Sequence, residues 1–148
     1  MTMTPRADIK ANTLEFETIP LVKPTGFREY DARWWFGAPG DDPKTAKAPE
    51  LNILGVQALG LGLATVIGQM GVEKKIVVGH DYRSYSANIK YALIAGLVEG
   101  GMEVHDIGLA LSPVAYYAQF ELDIPCVAMV TASHNENGWT GVKMGANK

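Results

Sequence analysis

Between residues 75 and 130 the chain changes its periodicity four times, and that alternation limits its folds more than any other feature. "KIVVG" (75–79) is a short β-branched run, fit for a strand buried on both faces. A helix capped by Ser84 or Ser86 then runs through Glu99, with Ala87, Tyr91, Ile94 and Val98 on one face, and Gly100-Gly101 ends it. "MEVHDIG" (102–108) reads as a second strand, "SPVAYYAQFEL" (112–122) as a helix with proline near its start, and "PCVAMV" (125–130) as a third strand. Strand, helix, strand, helix, strand implies right-handed crossovers and a parallel sheet covered on both faces. Asn137-Gly138 then turns the chain back into "WTGVKMG" (139–145). The expected fold is a three-layer α/β/α domain with a mostly parallel sheet and an antiparallel edge strand.

The remaining sequence is arranged around this unit. Residues 1–22 read as a flexible N-terminal arm, and 23–148 as the domain proper. "KPTGFREYDARWWFGAPGDDPKTAKAP" (23–49) is rich in proline and charge and reads as a long loop with a short strand around 27–32. Pro49-Glu50 suits the first turn of a helix that reaches Met70 and stops at Gly71. No charged residue occurs in 51–72, but Gln57, Thr65 and Gln69 form a polar stripe that suits a one-sided helix better than a lipid-facing one.

Composition narrows function mainly by exclusion. A net charge of −3 gives no reason to expect nucleic acid or an anionic membrane as partner. The single cysteine, Cys126, lies in an apolar run and reads as a buried core residue. No signal-peptide pattern opens the chain, so a cytoplasmic location is expected.

In open α/β sheets, ligands bind beyond the carboxyl ends of the strands. Three polar loops leave strands at that edge: "GHDYRS" (79–84), "GLALSP" (108–113) and "TASHNENG" (131–138). The last sets Ser133 beside His134. Acyl transfer through Ser133 would need a strand-to-helix elbow that is absent, and His134 is poorly placed as base to its own neighbour. Phosphoryl transfer fits better: a phosphoserine, at about −1.5 to −2 charges, needs cations or N–H donors around it. Lys143 on the returning strand can bring such a charge, while Ala132 and Gly138 allow close approach. A plain turn whose polar groups satisfy the backbone stays open at this stage.

These motifs together resemble the α-D-phosphohexomutases (phosphomannomutase/phosphoglucomutase), specifically their N-terminal domain. "TASHN" with a lysine ten residues past its serine is similar to the family's active-site loop. "FREYDAR" (27–33), "VVGHDYR" (77–83) and "GLVEGGMEVHDIGLALSPVAYYA" (96–118) match further family motifs in family order. The resemblance implies an enzyme that moves phosphate between C1 and C6 of a hexose through a hexose 1,6-bisphosphate. It implies Ser133 as phosphoryl carrier and Mg²⁺ ligand, His134 and Lys143 as catalytic groups with Lys143 favoured for proton transfer, and Tyr30 and Arg33 as substrate-binding residues. It also implies partners: a phosphohexose and the remaining domains of a parent enzyme, without which the chain should be inactive. "FREYD" is nearer the phosphomannomutase/phosphoglucomutase branch than the glucosamine-phosphate branch.

The departures are specific. Glu136 stands where the family usually has proline, His80 replaces an arginine, and Trp34 follows Arg33 where glycine is usual. A non-catalytic binding or regulatory module with the same fold is the alternative. Asp81 and Arg83 read as a loop-bracing pair, His105 as a structural residue, and Trp34 and Trp35 as cover for the domain's own core.

Overall fold

The computed structural model describes residues 3–37, 42 and 47–148. The end of the proline-rich stretch expected as a long loop falls partly on 38–41 and 43–46, outside the described residues.

The expected strands form, and they assemble into one five-stranded sheet. Its strands are β1 (Ala32–Trp35), β2 (Lys75–His80), β3 (Glu103–Leu109), β4 (Cys126–Val130) and β5 (Trp139–Ala146), in the spatial order β1-β5-β4-β2-β3. β2 pairs in parallel with β3 and β4, while β5 is antiparallel to both β4 and β1. All strands but β5 therefore share one direction, and the sheet is mostly parallel as expected. One detail is corrected: β5 is antiparallel but not an edge, because β1 covers its outer side. The short strand expected at 27–32 forms instead at Ala32–Trp35, where alternation buries Ala32 and Trp34 and leaves Arg33 and Trp35 on the other face.

Helices cover both faces. On one side lie α2 (Ile53–Gln69) and α3 (Ser86–Glu99), packed over Ile76, Val78, Ala128, Val130 and Val142. On the other, α4 (Ser112–Glu121) seats Ala115 against Val77, Val127 and Met129. The strand side chains alternate between these two layers, as the pleat requires. A Cβ at Gly60 of α2 would lie 2.3 Å from the Leu93 carbonyl oxygen, and one at Gly96 of α3 would lie 2.0 Å from that of Gln57. The helices touch backbone to backbone there, so neither position accepts a side chain.

That contact explains a second correction. The face expected on α3 is not the buried one: Ile89, Leu93, Gly96 and Leu97 point inward, whereas Tyr91 and Val98 are exposed. No serine caps this helix; Tyr85 occupies the N-cap without a capping bond, its hydroxyl bonding instead to the Trp139 carbonyl and the Gly138 N–H. α2 likewise begins later than Pro49-Glu50. Asn52 is its N-cap, accepting from Gly55 N–H at 2.7 Å, and the Glu50 carboxylate accepts from Trp35 N–H instead.

Asn52 also bears on residues 3–22, the described part of the segment expected as a flexible arm. Its amide donates to the carbonyls of Phe16 (2.7 Å) and Ile19 (2.9 Å), and its Oδ1 accepts from Leu21 N–H at 2.8 Å. Leu21 is fully buried, Ile9 nearly so, and a short helix α1 (Leu14–Thr18) lies between them. This segment is a docked part of the domain, tied down by one buried asparagine, rather than a free arm. Trp34 is buried and donates to the Lys23 carbonyl, covering this domain's own core as expected. Cys126 is buried, and burial pushes its thiol up. No helix among the described residues is long and apolar enough to cross a membrane.

Candidate active site

The loop 131–138 joins β4 to β5 at the carboxyl edge of the parallel strands. Within it Ser133 has φ +51°, and Gly138 has φ +97° in the turn that closes at Trp139. A serine in the left-handed region costs roughly 1–2 kcal/mol, so other contacts must hold it there.

Those contacts come from the next strand. Ser133 N–H donates to Thr131 Oγ1 at 3.0 Å, and that hydroxyl donates to Asp81 Oδ2 at 2.9 Å. Asp81 follows β2; it also accepts from Ser86 Oγ (2.5 Å) and pairs with the Arg83 guanidinium. Arg83 Nη2 reaches back to the carbonyls of Ser133 (3.2 Å) and Asn135 (2.5 Å). Burial raises the Asp81 carboxyl, but the bonds from Ser86, Thr131 and Arg83 N–H, together with the Arg83 charge, outweigh it and hold the group below the ordinary carboxylate range. The loop-bracing reading of Asp81 and Arg83 is what the structure contains, and the brace ends on Ser133 itself.

A second cation meets Ser133 from the opposite side. Arg33 Nη2 donates to Ser133 Oγ at 3.1 Å, and Nη1 donates to Asn135 Oδ1 at 3.3 Å. Asp31 holds the same guanidinium through Nη2 at 2.6 Å and Nε at 3.0 Å. Arg33 reaches the serine by lying across β5 at Gly141, its register partner. A Cβ on Gly141 would lie 2.8 Å from Arg33 Cδ and 2.2 Å from the Ala32 carbonyl oxygen. Gly141 is thus a site residue that pattern reading missed; its only signal was a glycine inside a strand.

The other expected residues are placed less tightly. Lys143 stands on the same sheet face as Arg33, two residues further along β5 and opposite Met129, with its amine in no hydrogen bond or ion pair among the described residues. The pleat puts it about 7 Å along the strand from the Arg33 row. His134 is exposed beside Ser133, and Tyr30 is 89% exposed, and neither makes a side-chain bond to the loop. The structure therefore brings Arg33 to Ser133, sets Lys143 on the sheet face that Arg33 occupies, and leaves His134 and Tyr30 facing solvent. Glu136 is exposed, where water and salt screen its charge from the serine.

A cleft of about 260 Å³ opens beside Ser133, lined also by Thr131, Tyr82 and the Leu111–Ser112 start of α4. The start of α4 lends this cleft partial positive charge, and the Asp81 carboxylate that also lines it is offset by Arg83. A larger groove, about 900 Å³, lies on the α2 face and is lined by apolar residues such as Leu59, Leu63, Val142 and Met144. It contains no charged lining residue and none of the groups above, so it cannot be the place where a phosphate is handled. His105 pairs with Glu103 at the surface, in keeping with a structural reading. Its neighbour Asp106 receives the buried Lys90 amine at 2.6 and 2.7 Å.

The donor set does not form a metal cage. No group of three or more His, Cys, Asp or Glu side chains converges among the described residues, and Asp31 and Asp81, the carboxylates bonded to groups that touch Ser133, are engaged by Arg33 and Arg83. A divalent ion at Ser133 would have to draw its remaining oxygen ligands from outside these residues.

Comparison with known proteins identifies the domain. Residues 27–148 match the family described as phosphoglucomutase/phosphomannomutase, alpha/beta/alpha domain I. A probable phosphoglucosamine mutase from Pyrococcus furiosus is 41% identical over 96 residues, covering 65% of this chain and 20% of that protein. A phosphomannomutase from Escherichia coli is 34% identical over 124 residues, covering 84% and 24%. Among solved structures, a phosphoglucomutase/phosphomannomutase family protein from Burkholderia thailandensis superposes with a TM-score of 0.68 at 25% identity, over 85% of this chain and 27% of that one. The chain thus spans about a fifth to a quarter of the length of these relatives.

Proposed function

Because the chain belongs to the phosphoglucomutase/phosphomannomutase family, as its α/β/α domain I, we propose that Ser133 carries the phosphoryl group of a hexose-phosphate mutase. The observation that carries this reading is the Arg33 guanidinium 3.1 Å from Ser133 Oγ, on a loop whose own backbone is held in a left-handed turn.

The chemistry follows from charge and position. A hexose 1,6-bisphosphate donates a phosphoryl group to Ser133 Oγ: the bond from the transferring phosphorus to the sugar oxygen breaks as the one to Oγ forms. In that loading step the serine proton ends on the released sugar hydroxyl. The phosphoserine then passes its group to the free hydroxyl of a hexose monophosphate, and the 1,6-bisphosphate so formed turns over and returns the phosphate of its other end to Oγ. Arg33 faces the oxygen that becomes esterified and offsets the dianion, while the start of α4 adds its partial positive charge. Lys143 takes or returns the hydroxyl proton of the sugar, and His134, exposed next to Ser133, contacts the transferring phosphate. Tyr30 lines the approach from the loop 27–31. Each step is an in-line transfer in which positioning and charge supply most of the rate. Magnesium, when bound through the phosphoserine oxygen, would add charge neutralisation; its other ligands would come from the remaining domains of the parent enzyme. For the same reason the 148-residue chain alone should not turn over.

Relatives named for glucosamine and for mannose both match this domain. The sugar is therefore proposed only as a hexose phosphate. The test is intact mass of the full-length protein after incubation with hexose 1,6-bisphosphate, with peptide mapping. One phosphoryl group on the Ser133 peptide, lost together with turnover in Ser133→Ala, is expected. A full-length protein that isomerises hexose phosphates without ever labelling Ser133 overturns the reading. Absence of both label and turnover would favour the non-catalytic module instead.

A further inference from the structure

Two arginines address Ser133, and they do so from opposite sides. Arg33 meets the hydroxyl; Arg83 meets the backbone behind it. Arg83 is 5% exposed and its charge is matched by Asp81, so it cannot reach a phosphate without abandoning a buried partner. What it does hold is the loop. The N–H of Ser133 donates to Thr131 Oγ1 and its C=O accepts from Arg83 Nη2, while the Thr131 hydroxyl and the other arm of that guanidinium, Nη1, both donate to Asp81 Oδ2.

That arrangement has a geometric consequence. The N–H belongs to the peptide plane before the Ser133 Cα and the C=O to the plane after it. Fixing both planes fixes φ and ψ, here with φ +51°, and so fixes the direction in which Cβ and Oγ leave the backbone. Nη2 also takes the Asn135 carbonyl at 2.5 Å, which closes the loop around the serine. We propose that Arg83, Asp81 and Thr131 form a positioning unit that aims the Ser133 hydroxyl, with Arg83 and Thr131 as its two contacts and Asp81 as the anchor joining them. As a statement about backbone geometry it stands independently; as a statement about rate it rests on the phosphoserine reading. An in-line transfer needs the nucleophilic oxygen aligned, and a misplacement of about 1 Å costs on the order of 10²-fold in rate.

The experiment separates aiming from bulk stability. In the present chain, Thr131→Val removes the acceptor for Ser133 N–H, and Thr131→Ser keeps it. Arg83→Gln removes the grip on the carbonyls, and Arg83→Lys keeps one contact. The three-bond HN–Hα coupling and amide exchange of Ser133, read by NMR, are expected to shift in Thr131→Val and Arg83→Gln, to stay near wild type in Thr131→Ser, and to lie between in Arg83→Lys. Where Arg83→Gln does not fold, the Thr131 pair decides. A Ser133 coupling and exchange rate that stay at wild type in Thr131→Val overturn the proposal, whatever happens to the melting temperature and whether or not Ser133 is ever phosphorylated. In the full-length protein the same two variants are expected to lose about 10²-fold in kcat with KM for the sugar phosphate within about twofold. Normal kcat in a protein that does label Ser133 removes the rate claim while leaving the phosphoserine reading intact.

Discussion

The back and the front of the Ser133 loop are built on different principles. Behind it, Asp81, Arg83, Ser86 and Thr131 are all buried, and only the Nε of Arg83 among their side-chain polar atoms is buried without a partner. In front, Tyr30 and His134 are exposed and unbonded, and even Arg33 shares its guanidinium between Asp31 and the serine. The back resembles a core and the front resembles a binding surface. The difference teaches that geometry is stored where water is excluded, because a low-dielectric network is strong when complete and costly when broken. Groups that must exchange partners with a ligand stay where rearrangement is cheap.

The comparison can be broken at its most buried point first. Asp81→Ala leaves the Arg83 charge buried without its partner, and a loss of about 3–5 kcal/mol is expected in urea unfolding. A loss below about 1 kcal/mol would mean that the back of the loop is no more costly to break than its surface. Gly141→Ala sits between the two regions. Its Cβ meets both the Ala32 carbonyl and the Arg33 stem, so a loss of about 1–3 kcal/mol is expected, along with displacement of Arg33 from Ser133 visible in a crystal structure. A third test uses pH. Burial raises the carboxyls of Asp81 and Asp106, but hydrogen bonds and the Arg83 and Lys90 charges more than reverse it, so both lie below their unfolded values. Below about pH 4 the unfolded state then binds more protons, and stability falls as pH drops through the folded values, having been fully present above. Asp81→Asn should flatten that acid limb in melting curves; a limb of unchanged steepness would remove Asp81 from it. The smallest effect belongs to the front: Tyr30→Ala should shift stability by no more than about 0.5 kcal/mol, and a larger drop would show that the exposed loop is structural after all.

How far the sequence could be read differs element by element. The strands 75–80 and 126–130 and the helix 112–121 appear within a residue or two of where periodicity sets them, since burial on both faces or one leaves a direct mark on composition. The α3 face was misread because Gly96, silent in a hydrophobic pattern, is what brings α2 close. The N-terminal segment was misread because a polar residue, Asn52, does the tying, from 31 positions beyond Leu21. The positions of Ser133 at the sheet edge and of Lys143 on the returning strand were legible from the sequence; that Arg33 would reach the serine hydroxyl over Gly141 was not legible from spacing.

By itself the sequence determined the alternation of strand and helix, the carboxyl edge at which the polar loops emerge, and the serine carried on one of them. These depend on side-chain periodicity and turn residues that act over a few positions. Only the tertiary structure decided that Arg33 and Arg83, 100 and 50 positions from Ser133, close on it from two sides. The reason is the strand order: placing β4 between β5 and β2 sets the residues after β2 and the length of β1 on either flank of one loop, and no local rule contains that adjacency.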